Sequence, residues 1–522
     1  ILAQGLRAGP FYPAVYRRPP AMAVPLNNIT VGSLKIPVPT YDRSAVRPGI
    51  VHLGVGGFHR AHQAYYTDAI LSRGGDDLQW GICGVGLTQF DAAMRDTMQK
   101  QDNMYTLVSR GATTEAMVIG SHCEYLYAPD QPEEVLQRLS SPNTKVVTLT
   151  ITEKGYCLDL DTGALDKGLE AVQKDLATLK EGGSKLLTAP GFLVGAALRR
   201  RAEKAAGLAI LSCDNVQGNG EKTESAVLEM AELAGGEELK KYVHESFTFP
   251  NSMVDRITPA TTQAVKDLVK ADFGIEDLWP VAGEDFLQWV IEDKFPSGRP
   301  AWDQVLGGTC MFVEDVMPYE LMKLRLLNGS HQAIGYTGVM AGYRLVHDAM
   351  ADPLLLKFIT AYMDCTTGAV PGPAGIDLEA YKVMLRQRFS NAAVADQLLR
   401  LCEDGRNRMK VACLPCLADL RPETAQPFAA VVAAWILYLT SSADNKGAEF
   451  KMSPEPALGE FQAQAQKAVE DPEAGVGPLL EAAFPGSSEL LGKVNLPATC
   501  AKLLTQMKAG KVAEVCGGVS AA

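Results

Sequence analysis

The chain has no run of about 18 consecutive apolar residues, the length a helix needs to span a bilayer. The nearest approach, residues 427–439, falls short and reads as a buried helix. Long basic runs are also missing, and the formal net charge is −12. Both absences argue against a membrane and against nucleic acid as partners. The eleven cysteines are scattered and form no disulfide framework, which points to a reducing compartment, the cytoplasm. Cys413-Leu-Pro-Cys416 has no second Cys-x-x-Cys or nearby His pair to complete it. A structural zinc site needs a fuller ligand set, so these read as ordinary thiols. Acidic residues are absent from residues 1–40, where Arg7, Arg17, Arg18 and Lys35 stand. The chain begins at Ile1 and Met22 follows, so residues 1–21 are either upstream sequence or the remnant of a targeting peptide. Their prolines argue against an amphipathic transit helix, and organelle import through them stays open.

What is present is a globular composition: 522 residues, 47% apolar and 21% charged, enough for two or three domains. Residues 49–54, 80–85, 146–151 and 209–212 read as buried strands, with helical patterns such as 59–71, 164–179 and 222–233 between them. Strands alternating with helices imply a parallel sheet covered on both faces. Beyond residue 313 helical periodicity dominates, over 318–345, 354–365, 377–389, 392–402, 428–440 and 456–469. Residues 368–375 and 471–477 read as Pro/Gly loops, and no internal repeat is visible.

The first strand runs into Gly54-Val-Gly56-Gly57-Phe58-His59-Arg60 and then a helix. Strand, Gly-x-Gly, helix is the order that aims backbone N–H groups at a pyrophosphate. His59 takes the place of the third glycine of that fingerprint. An acid that binds ribose is expected near the end of the second strand, and Asp91 is the first carboxylate there. Its other reading is a helix N-cap. His59 and His62 lack a third metal ligand, so packing suits them better. The expected fold is α/β: an N-terminal extension over 1–30, a Rossmann-type parallel-sheet domain over 31–312 and a mostly helical substrate domain over 313–522.

Residues 319–331, Tyr-Glu-Leu-Met-Lys-Leu-Arg-Leu-Leu-Asn-Gly-Ser-His, gather polar groups on one predicted helix. At about 100° per residue, Lys323 lies at 0°, Glu320 at about 60°, His331 at about 80° and Asn328 at about 140°. Four polar groups share one side of an apolar helix. Lys and Glu three apart also make a common solvated pair, and Asn-Gly-Ser also ends helices.

Five segments occur in order: Gly54-Val-Gly-Gly-Phe-His-Arg-Ala-His62, Thr150-Ile-Thr-Glu-Lys-Gly-Tyr156, Ser212-Cys-Asp-Asn215, Phe249-Pro-Asn-Ser-Met-Val-Asp-Arg-Ile-Thr-Pro259 and Lys323-x4-Asn-x2-His331. Together they resemble the long-chain polyol dehydrogenases, from about residue 31 to beyond 420. The resemblance implies a metal-independent, NAD-dependent oxidation of a polyol, D-mannitol to D-fructose and back. It implies Lys323 as the catalytic base, Asn215 and Asn328 on the reacting oxygen, His331 holding substrate and Glu320 relaying protons. It places Asp255 and Arg400 on the polyol chain. A family lysine falls on Arg408. Where the family often has two adjacent acids to select cofactor, this chain has Phe90-Asp91, so NADP stays open. Glu153, after the third strand, stands where ligands gather in such sheets.

The chemistry wants these residue types. Removing a hydroxyl proton needs a positioned base. Lysine in water has a pKa of about 10.4, burial favours its neutral form, and an ionised carboxylate such as Glu320 works the other way. Two amides can then hold the alkoxide-like oxygen as an oxyanion hole does. The competing activities are reduction of a hexuronate such as fructuronate, and oxidation of arabinitol or sorbitol. A non-catalytic sugar or nucleotide sensor is the rival class, and such a sensor has no use for Lys323. A small polyol or ketose is the expected partner, and a monomer or small homo-oligomer the expected state.

Overall fold

The computed structural model describes residues 23–159 and 162–520. Most of the N-terminal extension, including residues 1–21, lies outside the described residues. The chain forms two compact units, Ile1–Val316 and Met317–Ala522.

The first unit is built on a six-stranded, wholly parallel sheet. Its spatial order is His122–Tyr127, Gly81–Gly86, Pro48–Leu53, Val146–Leu149, Leu208–Ser212 and Phe247–Thr248. Strands buried on both faces need continuous apolar runs, and Gly81–Gly86, Val146–Leu149 and Leu208–Ser212 are buried at every position. The chain builds outward from Pro48–Leu53 on one side, then returns to its other flank with Val146–Leu149. That reversal is a switch point, where a crevice opens beyond the strands' C-terminal ends. Val24–Pro25 pairs with Ile275–Glu276, and Leu26 is buried, so the chain enters the body of this unit there.

Four strands were legible; His122–Tyr127 and Phe247–Thr248 were not. His-Cys-Glu-Tyr-Leu-Tyr carries too many polar groups to read as a buried run. Two smaller three-stranded sheets flank the main one, Val281–Glu284 with Tyr105–Arg110 and Thr114–Ile119, and Ser252–Asp255 with Gln288–Glu292 and Cys310–Val313. The helix expected over 164–179 starts only at Glu170, because Leu165 bridges to Leu158 and Asp166 accepts from the Gly168 N–H in a turn. The one expected over 222–233 runs Asn219–Ser246, broken at Gly236 (φ 70°).

The second unit is helical. Its core is the Gln426–Thr440 helix, buried along nearly its whole length, with Trp435 against Phe461 and Phe484 at ring separations of 5.5 and 5.8 Å. Among the described residues no helix is long and apolar enough to cross a membrane. Two expectations fail here. Residues 392–402 are helical only over Leu398–Leu401, since the Asn391 side chain accepts from the Ala393 N–H and Ala395 takes a φ of 51°. Residues 471–477 form no loop: Pro472–Ala483 is a helix with Asp471 capping the Ala474 N–H and Pro472 in the first turn, both ordinary helix-start signals.

All eleven cysteines are free. Burial pushes the Cys413 and Cys416 thiols up to about 12. Thiols held neutral and out of reach are poor nucleophiles. A maleimide added to the native enzyme is therefore expected to leave this pair unlabelled until denaturant is added. Prompt labelling of either residue in the folded protein would contradict this burial.

Candidate active site

The sequence singles out residues in both units. In the first, Pro48–Leu53 ends at Gly54, whose φ is +90°. A Cβ there would stand 2.3 Å from the Thr150 carbonyl oxygen, so only glycine lets the two strand ends approach so closely. At Gly56 nothing lies within 4 Å of a Cβ, which leaves the turn open above its backbone. An open Gly-x-Gly turn at a strand's C-terminal end fits a dinucleotide. Gly57 begins the short helix Gly57–Ala61, which breaks at His62 before Gln63–Leu71, where one continuous helix from residue 59 was expected.

His59 and Arg60, expected among the cofactor residues, commit their side chains to the core. The His59 ring stacks on His52 at 3.4 Å, with Nδ1 3.0 Å from Gln63 Oε1 and Nε2 3.0 Å from His122 Nε2. Arg60 donates to the Trp279 carbonyl and lies over the Tyr105 ring. Phe58 packs on His62, at 4.8 Å between rings. Asp91 follows Gly81–Gly86, and its carboxylate accepts from the Thr88 N–H (2.8 Å) and hydroxyl (3.0 Å) as the third residue of a capping box begun by Thr88, while it makes no N-cap bond to the helix Ala92–Lys100. Phe90 beside it is 84% exposed.

Beyond the end of Val146–Leu149 the backbone is under strain that side chains hold. Thr152 has a φ of 61°, a conformation costly for a β-branched residue. The buried Asp214 carboxylate accepts from the Ile151 and Thr152 N–H groups (3.0 and 2.9 Å) and from the Tyr156 hydroxyl (2.7 Å). Burial raises the Asp214 carboxyl, and these donors pull it back down. Asn215 follows on the exposed side of the turn. Glu153 is exposed, 3.8 Å from Lys222. Asp255 ends the strand Ser252–Asp255 and is buried. Its neighbour Arg256 donates to the Glu284 and Ala61 carbonyls.

In the second unit, the predicted single helix over 318–345 is three segments: α over Met317–Met322, π over Lys323–Asn328 and α over Gly329–Met340. In the π turn each N–H closes onto the carbonyl five residues back, as Gly329 N–H does onto Leu324. Residues five apart then sit about one turn above each other. Lys323 and Asn328 are five apart. The α spacing of about 100° per residue separated them by about 140°; the π turn brings them towards one face. Gly329 keeps the register, since a Cβ there would meet the Tyr362 hydroxyl at 2.5 Å. Such π turns are rare and recur at functional sites.

Lys323 is buried, while Glu320, Asn328 and His331 are partly exposed. The His331 ring packs on Phe389 at 5.0 Å, and its Nε2 is buried with no hydrogen-bond partner among the described residues. Burial holds this imidazole well below the usual histidine range, helped by the positive charges of Arg400, Arg388, Arg408 and Lys323. It is neutral at pH 7, and Nε2 is able to bond a hydroxyl. Arg400 is exposed and makes a bidentate pair with Asp396 (2.7 and 2.6 Å). Arg408 donates to the Arg400 and Leu401 carbonyls. Among the described residues no group of three His, Cys, Asp or Glu could hold a metal ion.

Sequence reasoning missed Asp214, Tyr156, His52, His122 and Arg388. Asp214 stood inside a quoted motif, and its place between a strand end and a donor was a usable signal. Arg388 is distant from His331 in sequence, and only the fold brings its charge near the imidazole.

A Rossmann unit with an open Gly-x-Gly turn, and a helical unit with lysine and asparagine on one π turn, define a dehydrogenase. The chain matches the mannitol dehydrogenase Rossmann domain over residues 48–304 and the mannitol dehydrogenase C-terminal domain over residues 315–479. It belongs to the mannitol dehydrogenase family, and it is an oxidoreductase acting on a CH–OH group. It is 42% identical over 441 residues to a mannitol 2-dehydrogenase of Aspergillus terreus, covering 83% of this chain and 86% of that one. The solved mannitol 2-dehydrogenase of Pseudomonas fluorescens, in a ternary complex with NAD and D-mannitol, superposes with a TM-score of 0.81 at 40% identity over 94% of this chain and 99% of that one. A substrate-free D-sorbitol dehydrogenase gives 0.83 at 33% identity, over 94% of this chain and 100% of that one.

Proposed function

We propose that this chain oxidises D-mannitol to D-fructose, reversibly and without a metal, with NAD as its cofactor. The observation that carries this reading is the π turn, which sets Lys323 and Asn328 on one face in a chain 40% identical to an enzyme solved with NAD and D-mannitol. Residues 31–312 bind the dinucleotide over Gly54, Gly56 and Gly57, and residues 313–522 bring the base. When bound, NAD accepts the hydride. Lys323 Nζ takes the hydroxyl proton, and Glu320 passes it towards solvent. The Asn215 and Asn328 amides donate to the oxygen as charge builds on it, a task worth about 3–4 kcal/mol per donor in comparable sites. His331, Asp255, Arg400, Arg408 and Glu153 hold the remaining hydroxyls. A carboxylate at Asp91 would disfavour a 2′-phosphate at the ribose, so NAD is the cofactor proposed and NADP is assayed beside it. Eleven free thiols suit the cytoplasm.

A panel of D-mannitol, D-sorbitol, D-arabinitol, D-fructose and D-fructuronate, assayed with NAD(H) and NADP(H) and excess EDTA, tests this. D-mannitol and D-fructose are expected to give the highest kcat/KM, undiminished by EDTA. Turnover of fructuronate in place of fructose would reassign the substrate to hexuronates, which the cations around His331 would suit. Loss of activity in EDTA would overturn the metal-free reading.

A further inference from the structure

The amide of Asn219 is buried, and both of its donors and its oxygen bond two backbone positions. Its Nδ2 donates to the Asp214 carbonyl (3.0 Å) and to the Ser252 carbonyl (2.8 Å), while its Oδ1 accepts from the Ser252 N–H (3.0 Å). Towards Ser252 it acts as a strand neighbour would, offering one donor and one acceptor. Towards Asp214 it holds the carbonyl of the peptide that leads into Asn215. Fixing that peptide plane fixes the Asn215 N–Cα bond and leaves rotation about that one bond to set where its Cα–Cβ bond points. The Ser252 hydroxyl donates to the Ser212 carbonyl, and Tyr156 ties Ser212 to the Asp214 carboxylate. The segment before Asn215 and the start of the strand that ends at Asp255 are therefore stitched together by the Asn219 amide and the Ser252 hydroxyl. On the far side of the same helix start, Asn251 Oδ1 accepts from the Gly220 N–H. That bond caps the helix without touching the Asn215 turn.

We propose that Asn219 is a positioning residue, aiming the Asn215 amide at the reacting oxygen by clamping the Asp214 carbonyl to the Ser252 strand; this rests on the reading of Asn215 as an oxygen donor. A donor displaced by about 1 Å loses much of its effect on a transition state. A role confined to folding would lower stability without regard to Asn215.

The test is a double-mutant cycle on the full-length enzyme, read as kcat with D-mannitol and NAD, with NADH affinity and melting temperature measured in parallel. Asn219→Asp keeps the shape and the acceptor but loses both donors. It is expected to lower kcat about 10- to 100-fold with NADH affinity unchanged. In an Asn215→Ala background the same change is expected to cost less than about twofold, because the group it aims is gone. Asn251→Ala should lower the melting temperature and leave kcat within about twofold. If Asn219→Asp does not fold, Asn219→Ser is carried through the same cycle. An undiminished loss in the Asn215→Ala background overturns the positioning role alone. An Asn215→Ala enzyme with unchanged kcat overturns the donor reading, and the positioning role with it.

Discussion

Replacing Lys323 by Ala or Met is expected to lower kcat by about 10²- to 10⁴-fold, the usual contribution of a positioned general base. NADH should bind as before, since the Gly54 turn belongs to the other unit. Lys323 is buried on a π turn, so its Nζ is held in place, and Met matches its length without the proton-accepting nitrogen. With the base gone, hydroxide from solvent must take the proton. The residual rate should then rise tenfold per pH unit over the range where the native profile is flat. A small primary amine added to the Ala variant should restore part of the rate. Activity within threefold of wild type would remove Lys323 from the base role and leave the π turn as a structural device.

Acid is expected to destabilise the first unit steeply. His52, His59 and His122 form a buried group behind the Gly54 turn, with His52 also bonded to the Thr148 and Thr150 hydroxyls. Burial pushes His52 down to about 3 and the other two well below the usual range. The charge of Arg60 adds to the effect on His59 and His122, and that of Arg43 on His122. The unfolded chain binds these protons near pH 6.5, and the folded chain does not. Stability is therefore complete above pH 6.5 and falls as pH drops below it. Asp68 works in the opposite sense: burial raises it to about 6, so the folded chain takes up its proton first. Asp175, Asp214 and Asp277, also raised, act with it. Three histidines against Asp68 alone leave two protons, an upper bound of about 3 kcal/mol per pH unit near pH 5 that Asp175, Asp214 and Asp277 reduce. Whole domains are stable by only about 5–15 kcal/mol, so the melting temperature should drop sharply between pH 7 and pH 5. His122→Leu should flatten that slope by about half. A melting temperature independent of pH over this interval would show that the three rings are not held neutral.

The Gly54 turn and the Lys323 motif were both legible, but for different reasons and to different depths. Strand, glycines and helix follow one another in the chain, so the turn needed only local pattern. Which side chains face it did not follow: His59 and Arg60 turn into the core because His52, Gln63, His122 and Tyr105 receive them there. The loop expected over 471–477 failed because its glycines outweighed the Asp-Pro start that makes it a helix.

The sequence by itself determined the order of strands and helices, the glycine that lets Gly54 approach Thr150, and the set of polar groups available for catalysis. The tertiary structure decided how those groups are aimed. Periodicity assumes one residue spacing along a helix, and it set Lys323 and Asn328 far apart. Packing of Gly329 on Tyr362 and the π closure between them changed that spacing. Nothing local encodes a hydrogen bond that depends on a neighbour distant in the chain. The same holds for Asn219, whose partners Asp214 and Ser252 are 38 residues apart in the chain and meet only in the folded unit.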